Sequence, residues 1–275
     1  MLISFALVPS SAPLPLSVVI VARNEGAHLP RCLASVRGWV AEMVVVLNNT
    51  TDDSAAIAAG HGARVVEAEW LGFRDTKNFA LDKATQPWVL ALDADEEISG
   101  ALHDEISRFL SKDGESIHFA GADFPRKSWF LGRWIKHGDW YPDRCLRLFR
   151  ADSGRWGGDP AHTRVIVKGK VARLRSDLHH YSYPTLPDQI WKMSRQSDDF
   201  LRYQSAAGRR WSLAQALFRP AWRFLRAYVL RAGFLDGFPG FYIAASTSFG
   251  TLLRYSRLYE AEQFGRPPKD SAPHG

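Results

Sequence analysis

Short, unbroken apolar runs alternate with helical periodicity through the first hundred residues. Residues 16–22 (LSVVIVA), 43–47 (MVVVL) and 88–92 (WVLAL) are apolar on both faces, and 64–67 is a shorter extended piece. Strands buried on both sides read this way. Between them, residues 27–36 set Leu29, Cys32, Leu33 and Val36 at helical spacing, and 54–59 and 76–84 are helix-forming. The alternation predicts a parallel sheet in an α/β layer fold. Ligands of such sheets sit beyond the carboxyl ends of the strands. That rule places Asn24, Asn48 and Asp93 on one rim.

The rhythm changes after residue 98. Residues 102–110 read as a helix, and short aromatic-rich strands come next at 119–124 and 146–149. Residues 165–167 and 171–174 flank Lys168-Gly169-Lys170, which predicts a hairpin. From Leu186 to Phe264 the pattern is helical, and the Pro-rich residues 265–275 are expected to be disordered.

Composition narrows the partners. The chain has 275 residues, 46% of them hydrophobic, enough for a real core, and a net charge of +6 that favours an anionic partner. No zinc-ligand spacing or RNA-binding signature accompanies that charge, so nucleic acid is not expected. Cys32 and Cys145 lie far apart without ligand spacing, which fits a reducing compartment, the cytoplasm. Residues 1–8 are apolar but lack a basic start, and Pro9, Pro13 and Pro15 break up the adjoining residues. The expectation is a loose leader over 1–15, not a signal peptide. No apolar stretch approaches the roughly 20 residues a bilayer span requires.

The stretch Leu90-Ala91-Leu92-Asp93-Ala94-Asp95-Glu96-Glu97 carries the most chemistry. Three apolar residues run directly into carboxylates at i and i+2, which share one side of an extended chain. Two such groups can hold one hard cation, Mg²⁺ or Mn²⁺, with a diphosphate supplying further oxygens. The plainer alternative is an acidic turn opening the next helix, where acids are favoured. Arg74 and Lys77 precede or open a helix and can meet phosphate oxygens there.

Ala22-Arg23-Asn24-Glu25 after the first strand, then Lys77-Asn78-Phe79-Ala80, then Asp93-Ala94-Asp95-Glu96, resembles the nucleotide-sugar half of family 2 glycosyltransferases with the GT-A fold. Trp140-Tyr141-Pro142-Asp143-Arg144, Leu146-Arg147-Leu148-Phe149, His180-Tyr181-Ser182-Tyr183 and Gly233-Phe234-Leu235-Asp236-Gly237 are similar to one branch, the lipopolysaccharide core β-1,4-glucosyltransferases that act on heptose. The resemblance covers roughly residues 16–264. It implies a nucleotide pocket of Ala22, Arg23, Asn24, Glu25, Asn48, Arg74, Lys77, Asn78, Asp93 and Ala94. It further implies a metal held by Asp95 directly, with Asp93 on the ribose or reaching the ion through water, and with His180 completing the set. The polar loop departs from the family, whose members carry Asp-x-Gly-Ser-Thr-Asp where this chain has Asn48-Asn49-Thr50-Thr51-Asp52. An amide both donates and accepts, whereas a carboxylate only accepts.

An inverting transfer needs a base for the acceptor hydroxyl. By resemblance that base is Asp143, with Asp159 the alternative, because His162-Thr163 stands where relatives have His-Glu. Arg144 and Arg147 are expected beside it, on the acceptor side. Trp129, Trp134, Trp140 and Trp156 cluster in this segment, and one or two, Trp140 first, are expected near a sugar.

Between Asp199 and Asp236 there is no acidic residue, while Arg202, Arg209, Arg210, Arg219, Arg223, Arg226 and Arg231 all fall there. On a helical wheel Phe218, Trp222, Leu225 and Val229 share one face, with Arg219, Arg223 and Arg226 beside it. That pattern reads as a helix lying in an anionic membrane interface. Packing on the catalytic domain or pairing of two subunits are the alternatives.

The expected organisation is a GT-A α/β domain with a mixed central sheet over 16–185, split into a nucleotide-sugar half (16–98) and an acceptor half (99–185). A basic helical region occupies 186–264. The expected activity is transfer of a hexose, glucose first, from a UDP-sugar to a lipid-linked glycan such as the lipopolysaccharide inner core. It would form a β-linkage at the inner face of the cytoplasmic membrane. A protein or capsule acceptor, and a non-catalytic nucleotide- or membrane-binding protein, are the rival readings.

Overall fold

The computed structural model describes residues 12–111, 115–158 and 163–266. The leader expected over 1–15 and the disordered tail expected over 265–275 lie mostly outside these residues. Two compact units divide the chain: Met1–Phe124 with Leu146–Ser176, and Pro125–Cys145 with Asp177–Gly275.

The first unit opens as β1 (Leu14–Ala22), α1 (Leu29–Val36), β2 (Val40–Asn48), α2 (Ser54–Gly60), β3 (Arg64–Ala68), α3 (Phe73–Leu81), β4 (Trp88–Asp93), β5 (Glu96–Ile98) and α4 (Gly100–Leu110). β1 lies between β2 and β4, and β3 flanks β2, all parallel. Ala22 is level with Leu47, and Val21 with Asp93, so the carboxyl ends of β1, β2 and β4 finish together. The apolar runs explain this sheet. Val18, Ile20, Leu90 and Leu92 are buried on one face, and Val19, Val44, Val46, Val89 and Ala91 on the other. α3 begins earlier than its periodicity suggests and stops at Leu81; Gly72, at φ 89°, sets the entry turn.

β6 (Gly121–Phe130) runs from the first unit into the second, where β7 (Arg133–Trp134) folds back antiparallel on it. β8 (Asp143–Arg150) returns to the first unit and lies antiparallel to β4, with Leu148 opposite Leu90. The remaining strands of this unit are β9 (Gly154–Gly157), β10 (Arg164–Val167) and β11 (Val171–Arg173). The hairpin expected around Lys168-Gly169-Lys170 does not form. β10 pairs antiparallel with β9, while β11 adds parallel to β6. Each flank finds a longer-range partner, so the turn only joins two different pairings.

The second unit adds β12 (Leu178–His180), parallel to β6, and helices α5 (Leu186–Ala206), α6 (Leu213–Leu225) and α7 (Gly237–Phe264). α5 starts on a capping box in which Thr185 and Asp188 satisfy each other's backbone N–H. The helical stretch expected from 186 to 264 is therefore three helices. A π-helical turn, Arg226–Leu230, and a 3₁₀ turn, Gly233–Asp236, separate the last two. Two acids are buried here. Asp236 accepts from the backbone N–H of Lys136 at 3.0 Å and of His137 at 2.8 Å. Asp139 meets Arg223 at 2.5 Å, Arg226 at 2.8 Å and Arg231 at 3.5 Å. A buried carboxylate persists only where it is paired in this way.

Candidate active site

The acidic turn forms where β4 ends. Asp93 is the last residue of β4, Ala94 and Asp95 make the turn, and Glu96 opens β5. Glu96 is 1% exposed. One of its oxygens accepts from the Asp93 backbone N–H at 2.9 Å, closing the turn, and the other accepts from Arg147 at 2.8 Å. Arg147, also buried, reaches the Asp93 carboxylate as well. The second Asp93 oxygen accepts from Lys77 Nζ at 2.6 Å. Lys77 in turn lies 4.3 Å from the centre of the Trp156 ring, and Arg147 lies 5.5 Å from it. Four charged groups thus close into one network over an aromatic floor.

α3 and β9 hold that floor. Asn78 donates to the Trp156 carbonyl at 3.0 Å and accepts from its N–H at 2.9 Å. Asn78 was expected in the nucleotide pocket; its side-chain amide is spent on β9. Arg147, expected on the acceptor side, bridges Glu96 and Asp93. Trp156 lies under Lys77.

The loops after β1 and β2 are laced together. Asn24, at φ 52°, accepts from Thr51 N–H at 2.8 Å. Glu25 N–H donates to Ser54 Oγ at 3.0 Å, and Gly26 N–H to Asp52 at 2.9 Å. A Cβ on Gly26 would fall 2.9 Å from that Asp52 oxygen, so a larger residue here would push the Asp52 carboxylate aside. The Glu25 carboxylate pairs with His28 at 2.7 Å. This hydrogen bond lifts the imidazole above its usual range against the opposing effect of burial, and the Asp95 charge adds to the lift. Cys32, fully buried, directs its thiol at the Asp93 carbonyl, 3.7 Å away. Burial, reinforced by the charges of Glu96, Asp95 and Asp93, pushes that thiol well above its normal value and makes it a poor nucleophile.

Asn48 is 1% exposed. Its side-chain N–H₂ donates to the carbonyls of Ala68 at 2.9 Å and Glu69 at 3.1 Å, tying the end of β2 to the end of β3. A cavity of about 380 Å³ opens beside it, walled by Leu47, Asn49, Thr50, Asp52 and Glu69 among others. Thr50 Oγ on that wall is buried with no hydrogen-bond partner among the described residues. Arg74 makes two hydrogen bonds to its neighbour Asp75 at the exposed start of α3.

Among the described residues, no three His, Cys, Asp or Glu side chains converge as a metal cage. Both oxygens of Asp93 accept from cations, Lys77 and Arg147, so a hard cation held by Asp93 would take the place of one of them. Mg²⁺ is commonly held by one or two carboxylates together with substrate phosphates, and Asp95 and Asp93 are carboxylates on one tight turn.

In the second unit, Asp143 accepts from Arg126 Nε at 3.0 Å and from its terminal nitrogen at 2.6 Å, and is about half exposed. Asp177 accepts from Tyr141 OH and from Lys127, both at 2.8 Å. Burial, with that carboxylate beside it, pushes the Tyr141 phenol up to about 12. His180 is buried on β12, level with Ser128 of β6. Trp140 packs against Phe130 and Tyr183, ring centres 5.0 and 5.3 Å away, so it fills the small aromatic core of this unit. Asp159 and His162 lie outside the described residues.

The sequence profile of Glycosyl transferase family 2 matches residues 17–175, more than half of the chain. The chain belongs to this family of glycosyltransferases.

This glycosyltransferase is 29% identical over 267 residues to the lipopolysaccharide core biosynthesis glycosyltransferase LpsC of Rhizobium meliloti, spanning 94% of this chain and 97% of LpsC. It is 28% identical over 256 residues to a glycosyltransferase of Rickettsia typhi, spanning 89% and 87% of the two chains. Among solved structures it is similar to the mannosyltransferase PcManGT from Pyrobaculum calidifontis, in complex with GDP-Man and Mn²⁺. The TM-score is 0.50 at 12% identity, over 92% of this chain and 89% of that one. That likeness concerns the fold, and it agrees with the GT-A architecture expected from the motifs.

For this family member the motifs led to the acidic turn but not to its support. Glu96 is part of the Asp93-Ala94-Asp95-Glu96 motif, and its buried contacts with Arg147 and the Asp93 N–H give it a supporting role that the motif alone does not show. A signal for Arg147 was present: a cation in the apolar run Leu146-Arg147-Leu148-Phe149 needs a buried partner. The Lys127–Asp177–Tyr141 group had no local signature, since strand pairing and a loop assemble it.

Proposed function

We propose that this glycosyltransferase moves a hexose, glucose in the first instance, from a UDP-sugar to a lipid-linked glycan of the lipopolysaccharide inner-core type. The reaction inverts the anomeric centre and forms a β-linkage. The observation that carries this reading is the charge network at the carboxyl end of β4, where Lys77 and Arg147 flank Asp93 beside Asp95. The carboxyl ends of parallel strands are where such folds take their ligands. The relationship to LpsC, whose name places it in lipopolysaccharide core biosynthesis, supports the acceptor class.

Each side chain suits a role. The cavity beside β2 and β3, about 380 Å³, has the size of a small-ligand site and takes the nucleoside. Lys77, resting on Trp156, meets the diphosphate. Asp95, with Asp93, would hold Mn²⁺ or Mg²⁺, which when bound offsets negative charge on the departing nucleoside diphosphate. Arg147 and Glu96 fix the turn that presents these carboxylates. Asp143, oriented by Arg126, accepts the proton of the attacking acceptor hydroxyl.

The test is a hydrolysis and transfer screen across UDP-, GDP- and dTDP-hexoses, with and without Mn²⁺, on the wild type and on Asp95→Ala. The expected result is UDP-glucose turnover that chelation removes and Asp95→Ala abolishes, with an unchanged circular dichroism spectrum. Near-normal turnover by Asp95→Ala, or turnover confined to GDP-sugars, overturns the assignment.

A further inference from the structure

The second unit carries an apolar surface that its own packing does not cover. Phe218 and Phe238 are 67% and 68% exposed, and Leu217, Trp222, Leu230 and Leu235 are exposed as well. These residues come from α6, the π-helical turn, the 3₁₀ turn and the start of α7, elements whose aromatic rings pack on one another. Tyr228 bridges the pieces, with ring centres 5.4 Å from Phe224, 5.7 Å from Phe241 and 6.2 Å from Phe234. A soluble monomer rarely leaves so many large apolar side chains open on neighbouring elements.

Charge identifies what covers it. Residues 200–235 contain no Asp or Glu. Arg223, Arg226 and Arg231 converge on one carboxylate, Asp139, whose side chain is 1% exposed, so three cations face a single buried anion. The three arginine side chains are 36% to 48% exposed, with Nε of Arg223 and Arg226 turned inward and buried. Arg219, on α6, lies 5.5 Å from the centre of the Tyr255 ring on α7. Large apolar side chains beside part-exposed arginines, whose one shared carboxylate, Asp139, is buried, match a layer of acyl chains beneath phosphate headgroups. A second copy of this chain is a poor match. Two-fold pairing would set the same arginine cluster against itself with no carboxylate opposite. No helix among the described residues is long and apolar enough to cross a membrane, so the face would lie on a bilayer rather than span it.

We propose that this face, from Leu217 to Phe241, seats on the surface of an anionic lipid bilayer, with the aromatic and leucine side chains entering the acyl boundary and the arginines meeting lipid phosphates. The proposal stands apart from the reaction above, because the face is independent of which sugar, base or acceptor the enzyme uses.

Vesicle co-sedimentation of the full chain tests it, comparing phosphatidylcholine mixed with phosphatidylglycerol against phosphatidylcholine alone. Retention is expected on the mixed vesicles, much weaker on the neutral ones and weakened by added salt. Phe218→Ser and Phe238→Ser are each expected to lower retention roughly tenfold with unchanged circular dichroism. Wild-type tryptophan emission is expected to shift blue on the mixed vesicles, and that shift to shrink in Trp222→Phe. The emission and lipid comparisons need no substitution that risks the fold. Equal retention on both vesicles, or none on either, overturns the proposal. So does self-association in analytical ultracentrifugation that the same serine substitutions abolish, which would assign the face to a second copy.

Discussion

Arg147 and Glu96 form a buried ion pair at 2.8 Å directly behind the acidic turn, each with less than a tenth of its side chain exposed. Glu96 holds Arg147, Arg147 holds Asp93, and Glu96 also accepts the Asp93 backbone N–H. The geometry of the turn therefore depends on a residue from β8 that is distant in sequence.

Removing one partner strands the other. Arg147→Met is expected to destabilise the protein by about 3–5 kcal/mol, because Glu96 is left charged and unpaired in the core. The double variant Arg147→Met/Glu96→Gln should cost much less than the sum of the single changes. Urea unfolding of the three variants gives the cycle directly.

Lys77 can be separated from the fold because its head group is partly exposed. Lys77→Met is expected to raise the KM for the nucleotide-sugar by about 10- to 100-fold, the weight of a charge-assisted hydrogen bond. Lys77→Arg should restore part of it. Steady-state kinetics at saturating acceptor provides the check, and an unchanged KM would remove Lys77 from the diphosphate.

The His28–Glu25 pair predicts a pH dependence of stability. The folded imidazole is held above 6.5, its value in an unfolded chain. The folded state therefore binds the proton more tightly. The stabilisation is complete below pH 6.5 and disappears as pH rises through the folded-state value. Thermal unfolding across neutral pH should show a decline that Glu25→Gln abolishes.

Gly26 gives a steric prediction. Gly26→Ala places a Cβ 2.9 Å from the Asp52 carboxylate, and that carboxylate must move aside. Losing the hydrogen bond from Gly26 N–H to Asp52 is expected to cost about 0.5–1.5 kcal/mol, read by thermal unfolding, together with weaker nucleotide binding by calorimetry.

Much of the first unit was legible because its strands are apolar on both faces and its helices carry clean periodicity. β1, β2 and β4 needed nothing beyond those runs, and the acidic turn was visible as carboxylates directly after Leu90-Ala91-Leu92. What could not be read depends on pairings distant in sequence. Arg147 reaches Asp93 only because β8 lies antiparallel to β4, and β10 chose β9 over the nearer β11. Trp140 and Trp156 looked alike as candidate sugar platforms. One fills the aromatic core of the second unit, and the other lies beneath Lys77 and Arg147.

The amide of Asn48 sets a condition on loop engineering. Only an N–H group can face the two carbonyls of Ala68 and Glu69 at once. The aspartate typical of relatives, introduced here alone, would press a negative oxygen against two others. A donor loop borrowed from another enzyme must therefore bring its own β3 terminus with it, and the two segments are better exchanged as a matched cassette than one at a time.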